Sequence, residues 1–121
     1  MTTSAAARLL MVNIDCPDPH ALVSFYGQLL GWDVAHDEDE YGMVTSGGTA
    51  LGFGRVEHYT PPSWPDAGAK QFHLDLAVDD LDAAEQRCRE LGATVPDHQP
   101  GDRWRVLLDP AGHLFCLTTG G

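Results

Sequence analysis

Phe72-His73-Leu74-Asp75-Leu76-Ala77-Val78-Asp79-Asp80-Leu81-Asp82-Ala83-Ala84 decides the fold, because it restates a pattern that the chain has already used once. Its first seven residues put large apolar side chains at every second position, the period of a half-buried strand, and Asp80 then offers a carboxylate to cap a helix. The helical stripe that follows is Leu81, Ala84, Cys88 and Leu91, and Gly92 supplies the left-handed residue that ends it. Upstream, Val12-Asn13-Ile14-Asp15-Cys16 leads to Asp18, then to a stripe of Leu22, Phe25, Tyr26 and Leu29, and then to Leu30-Gly31. The copies are offset by 62 residues at Asp18 and Asp80 and by 61 at Gly31 and Gly92, as one deletion in a helix would produce. Such self-similarity marks one supersecondary unit used twice.

Short β-rich stretches separated by Gly, Asp and Pro follow each helix, at 32–36, 41–45 and 49–56 in the first half and at 93–96, 103–108 and 113–118 in the second. Each half is therefore expected to be a βαβββ module. The expected class is α+β, with eight strands and two helices packed on one face of the sheets. Residues 1–121 form a single domain, with modules at 8–56 and 71–119 joined by a linker at 57–70. That linker carries Pro61-Pro62-Ser63-Trp64-Pro65, too proline-rich for a helix or a central strand. It reads either as a semi-rigid crossover or as a flap whose Trp64 closes over a pocket.

Eighteen acidic residues against seven basic ones give a net charge of −11, which repels phosphate backbones and anionic lipid surfaces. Nucleic-acid and membrane partners are not expected. No apolar run approaches the roughly 20 residues of a membrane-spanning helix, and residues 1–8 lack the features of a signal peptide, so a cytoplasmic protein is expected. The acidity favours a cationic or neutral guest. Cys16, Cys88 and Cys116 have no CxxC spacing and cannot all pair, so reduced thiols are expected. The run Asp37-Glu38-Asp39-Glu40 reads as a solvated loop. No Ser-His-Asp, phosphate-loop or dinucleotide fingerprint is present.

Alternation also sorts strand faces. Phe72, Leu74, Leu76 and Val78 should face the helix, turning His73, Asp75 and Ala77 the other way. Phe115 and Leu117 should likewise face the helix, leaving Leu114, Cys116 and Thr118 on the concave wall. In the first strand, Met11, Asn13 and Asp15 should line that wall while Val12, Ile14 and Cys16 pack on the helix.

The chain resembles the vicinal oxygen chelate superfamily of glyoxalase, bleomycin-resistance and extradiol-dioxygenase proteins. Three features carry the resemblance: Asp18-Pro19 ahead of Phe25-Tyr26 with Leu30-Gly31 closing the helix, the stretch 73–84, and Asp109-Pro110-Ala111-Gly112-His113 before the last strand. Trp64-Pro65 and Phe115-Cys116-Leu117 look like its glyoxalase-like domain branch. The resemblance implies two βαβββ modules forming a curled eight-stranded mixed sheet around a cavity, commonly in a homodimer.

The family's enzymes hold a divalent metal through His, Gln or Glu on the first and last strands of each module. Here the second module matches at His73 but places Cys116 at the last-strand position. The first module places Met11 at one position, and Gly52 and Gly54 near the other. The usual ligand set is thus incomplete, and no cofactor is expected; a divalent metal, if bound, would use His73.

The expectation is a metal-independent protein that binds a small, partly aromatic organic molecule, as drug-sequestering members do. Trp32, Tyr41, Trp64 and Trp104 would supply stacking area, Met11 and Phe53 apolar wall, and Asn13, Arg105 and Cys116 polar contacts. His73 and Asp75 are the candidates for catalysis. The alternative is an enzyme, either a metal-dependent lyase, isomerase or dioxygenase, or a metal-free isomerase with His73 or Asp75 as base.

Overall fold

A computed structural model describes residues 5–119. Seven strands and two helices follow in the order β1 (Val12–Cys16), α1 (Pro19–Leu30), β2 (Asp33–Asp37), β3 (Tyr41–Ser46), β4 (Thr49–Arg55), β5 (Leu74–Ala77), α2 (Leu81–Leu91), β6 (Trp104–Leu108) and β7 (Leu114–Thr118). Both helices begin where a carboxylate can cap them. Asp18 accepts from the His20 N–H, with Pro19 at the first turn, and Asp80 accepts from the Ala83 N–H. They stop at Gly31 and Gly92, whose φ values of 69° and 116° lie in the left-handed region.

The strands form two mixed sheets, ordered β1-β4-β3-β2 and β5-β7-β6. In each, the first strand runs parallel to the last (β1 with β4, β5 with β7), so the duplication read from the sequence is a duplication of topology. The second module is one strand short of expectation. Residues 93–96 give only an isolated Thr94↔Leu108 bridge, and Pro96, with no N–H to donate, ends the pairing. The expected eight strands are therefore seven, and among the described residues no ladder joins β1 to β5.

One apolar core joins the sheets. Phe25 and Tyr26 of α1 meet Phe115 of β7 edge-on, with ring centroids 5.7 and 6.3 Å away, and Tyr26 stacks on Phe53 of β4 at 5.6 Å. Phe115, Leu117, Leu107 and Cys88 belong to this same core. A polar joint crosses the modules beside it. Asp109, 4% exposed, accepts from the Tyr26 hydroxyl at 2.6 Å through one oxygen, and from the Ala111 and His113 N–H groups at 2.8 and 3.0 Å through the other. His113 Nε2 lies 2.5 Å from the Asp15 carbonyl, which can only accept, so Nε2 carries the proton; the Tyr59 hydroxyl lies 3.0 Å from the same nitrogen.

The acidic run folds back on α1. His20 places Nδ1 2.5 Å from Asp37 and Nε2 2.9 Å from Asp39, and these carboxylates raise its pKa from 6.5 to about 9. A histidine whose folded pKa is raised contributes stability that is fully present below its unfolded value and lost as pH rises through the folded one. The clamp should therefore weaken between pH 6.5 and about 9. Ring-proton NMR should follow His20 titrating near 9, and His20→Gln should flatten the thermal-melt dependence on pH across that window. A midpoint near 6.5 would show the clamp to be open in solution. Among the described residues, no helix is long and apolar enough to cross a membrane.

Candidate functional site

The last strand of each module splits its side chains between two faces, and β7 sets the site. Phe115 and Leu117 enter the main core, whereas Leu114 and Cys116 join Val106 in a second buried cluster on the opposite face. The β6–β7 register places Val106 opposite Cys116 and Trp104 opposite Thr118, which brings Trp104 to that second face. Trp64, delivered by the proline-rich linker, packs there too, and its indole N–H donates to the His98 carbonyl at 3.1 Å. The linker thus holds its tryptophan over β6 and β7.

An open depression of about 420 Å³ lies on this face, lined by Lys70, Asp75, Trp104, Cys116 and Thr118. At its edge, His73 Nδ1 lies 3.2 Å from the Lys70 carbonyl, an obligatory acceptor. That bond turns Nε2 toward Asp75, 3.3 Å from Oδ1, with 25% of the His73 side chain and 63% of the Asp75 side chain exposed. Cys116 closes the floor at 2% exposed. Burial pushes its thiol pKa up; the positive charge of Lys70 opposes that rise and the charge of Asp75 adds to it.

A second cleft, about 320 Å³, runs between the edge of β1 and residues 72–74, with Asn13, Asp15, His73 and His113 among its walls. His73 lines this cleft and pairs with Asp75, which lines the depression. Met11 and Tyr41 meet elsewhere, on the outer face of the first sheet, where the Tyr41 hydroxyl lies 3.6 Å from the sulfurs of Met11 and Met43. A Cβ on Gly52 would run into Asn13 Oδ1 and lie 2.9 Å from that hydroxyl, so only glycine leaves room for this packing.

The structure brings His73, Asp75, Trp104 and Cys116 together, with Trp64 packed beside them, and sets Met11 and Tyr41 apart, while Asn13 shares the second cleft with His73. Three expected positions point elsewhere. Phe53 is fully buried against Tyr26, because β4 turns Leu51 and Phe53 to the core and only Ala50, Gly52 and Gly54 to the other face. Trp32 packs on the main core. Arg105 lies on the helix-facing side of β6, paired with Glu85 and, at 3.5 Å, with Asp82 of α2. Phe72, expected to face the helix, precedes β5 and is 98% exposed. Two residues given no role in the sequence analysis matter here: Lys70 lines the depression, and His113, quoted only in the motif before the last strand, ties the modules together. Lys70 carried one signal, as the only lysine in the chain, three positions before His73.

The metal that the resemblance implies can be tested against these donors. Among the described residues, one group of three potential ligands converges, His73, Asp75 and Cys116, with ligand atoms within 4.8 Å of one another. A hard cation seeks several oxygens and finds one carboxylate. A softer ion would have to take the proton from a thiol whose pKa burial has raised. The first module offers a thioether at Met11 and no side chain at Gly52 or Gly54. The donor set does not fit the two-module chelate.

Residues 11–118 match the glyoxalase-like domain family. Among solved structures, a glyoxalase/bleomycin resistance protein/dioxygenase family enzyme from Burkholderia phytofirmans PsJN is 24% identical, over 92% of this chain and 97% of that one, with a TM-score of 0.69. The fosfomycin resistance protein FosX from Mesorhizobium loti is 17% identical over 97% of this chain and 94% of its own, with a TM-score of 0.70. A possible glyoxalase from Bacillus cereus is 17% identical over 93% of this chain and 99% of its own, with a TM-score of 0.69. No curated protein matches the chain at a significant level.

Proposed function

The chain belongs to the glyoxalase-like domain family, and from that premise we propose that it binds a small, partly aromatic organic molecule without a metal, in the depression walled by Trp104. The observation that carries this reading is the makeup of the wall. Trp104 and a buried thiol supply apolar surface beside Lys70, Asp75 and Thr118, whose polar groups can orient a guest. A metal-dependent reading has no complete chelate to stand on. The same reading takes the protein to be a cytoplasmic homodimer, whose contact surface would cover the exposed Phe72, Leu9 and Leu10.

The His73–Asp75 contact at 3.3 Å favours one second reading, a metal-free isomerase in which this pair moves a proton on the bound molecule. Turnover that His73→Ala abolishes, with binding retained, would establish it.

The test of the binding reading is mass spectrometry of any molecule released from the purified protein, followed by thermal melts with that molecule or an aromatic panel, with and without EDTA. Ligand at about 100 times its Kd should stabilise the fold by about 2.7 kcal/mol, unchanged by chelator. Trp104→Ala should weaken binding by about 2 kcal/mol, roughly thirtyfold, because it removes the largest wall. Stoichiometric metal whose removal abolishes binding would sink the reading.

A further inference from the structure

The chain carries eleven more acidic than basic residues, yet the depression holds its only lysine. The arginines Arg55, Arg87, Arg89 and Arg105 each lie within 4.0 Å of a carboxylate, whereas Lys70 has none at that distance among the described residues. Its ammonium instead sits 5.5 Å from the centre of the Trp64 ring, on the same lining as Cys116. The carboxylate on the same lining, Asp75, pairs with His73 Nε2 at 3.3 Å. The depression therefore contains a cation set against an aromatic face that does not neutralise it.

We propose that Lys70 is the anchor for an anionic oxygen, so that the guest is an aromatic carboxylate or phenolate whose ring lies against Trp104. This rests on the small-molecule reading above and narrows it: the local charge overrides the preference for a cationic or neutral guest that the overall acidity suggests. An ammonium beside an apolar wall attracts an oxyanion more strongly than the same group would in open water, because fewer waters screen it.

Isothermal titration with benzoate, benzamide and benzylamine, three probes of nearly one shape and three charges, tests the assignment on the full chain. Benzoate should bind at least about tenfold more tightly than either of the others, and the preference should shrink as salt is raised. Lys70→Met keeps the apolar stem and should erase the preference; Lys70→Arg should restore most of it, with melts confirming that both variants fold. Benzamide or benzylamine binding as well as benzoate, or a preference that survives Lys70→Met, overturns the anionic assignment and leaves the small-molecule reading standing. Failure of all three probes to bind overturns both. The salt series on the unmodified protein decides the charge question even if a variant does not fold.

Discussion

Asp109→Ala is expected to cost about 3–5 kcal/mol, enough to unfold much of the protein at ordinary temperature. The side chain is 4% exposed and accepts three hydrogen bonds. Truncation would leave the Tyr26 hydroxyl and two N–H groups without their acceptor in a site built to exclude water. Asp109→Asn separates lost bonds from lost charge. The amide oxygen can still take both N–H groups, and its NH2 can donate to Tyr26, so this variant should stay within about 1 kcal/mol of the parent at neutral pH.

Their pH dependence should differ in a fixed direction. Burial raises the Asp109 pKa above its ordinary 3.8, outweighing the hydrogen bond from Tyr26 and the influence of His113. For a group raised in the folded state, the stabilising contribution is present below the unfolded value and lost as pH rises through the folded one. The parent should therefore gain on Asp109→Asn as pH falls through that raised value. Urea denaturation of both proteins at neutral and mildly acid pH checks this, and a difference that does not change with pH would mean that the carboxyl is not desolvated.

Phe115→Ala is the second large effect, about 3–5 kcal/mol for a fully buried phenyl ring removed from a core that cannot close around the gap. The ring belongs to the second module but rests on Phe25 and Tyr26 of the first. The parent should therefore unfold in one transition, and the variant should show a lower midpoint with at least as much loss of cooperativity as of stability. Calorimetry gives both. Two resolved transitions in the parent would show that the modules fold independently, and the shared aromatic cluster would then carry less than its burial suggests.

Much of this architecture was legible in local pattern. The caps at Asp18 and Asp80, the terminating glycines and the face alternation of β7 follow from residues within a few positions of one another, and each is found where expected. What was not legible depends on distant partners. Trp104 and Arg105 alternate with Val106, and only the pairing of Val106 with Cys116 decides that the tryptophan faces the depression and the arginine faces α2. Phe53 looked available for a ligand until the stacking ring of Tyr26, 27 positions earlier in the chain, claimed it. Asp109 read as a turn residue, and its role as a joint appears only when α1 is docked beside it. Residues 93–96 had strand character, but Pro96 left a single bridge. Lys70 sits in an irregular segment with no period to show where it points.

The joint between modules and the wall of the depression use different side chains. Tyr26, Asp109, His113 and Phe115 hold the halves together, while Lys70, Asp75, Trp104 and Cys116 line the open space on the other face. Changes among the second group leave the first intact, so selection can rewrite what the cup accepts with little risk to the scaffold. A library randomised at Lys70, Asp75 and Trp104 should yield mostly folded proteins with divergent appetites, whereas one at Tyr26 and Asp109 should yield mostly insoluble material.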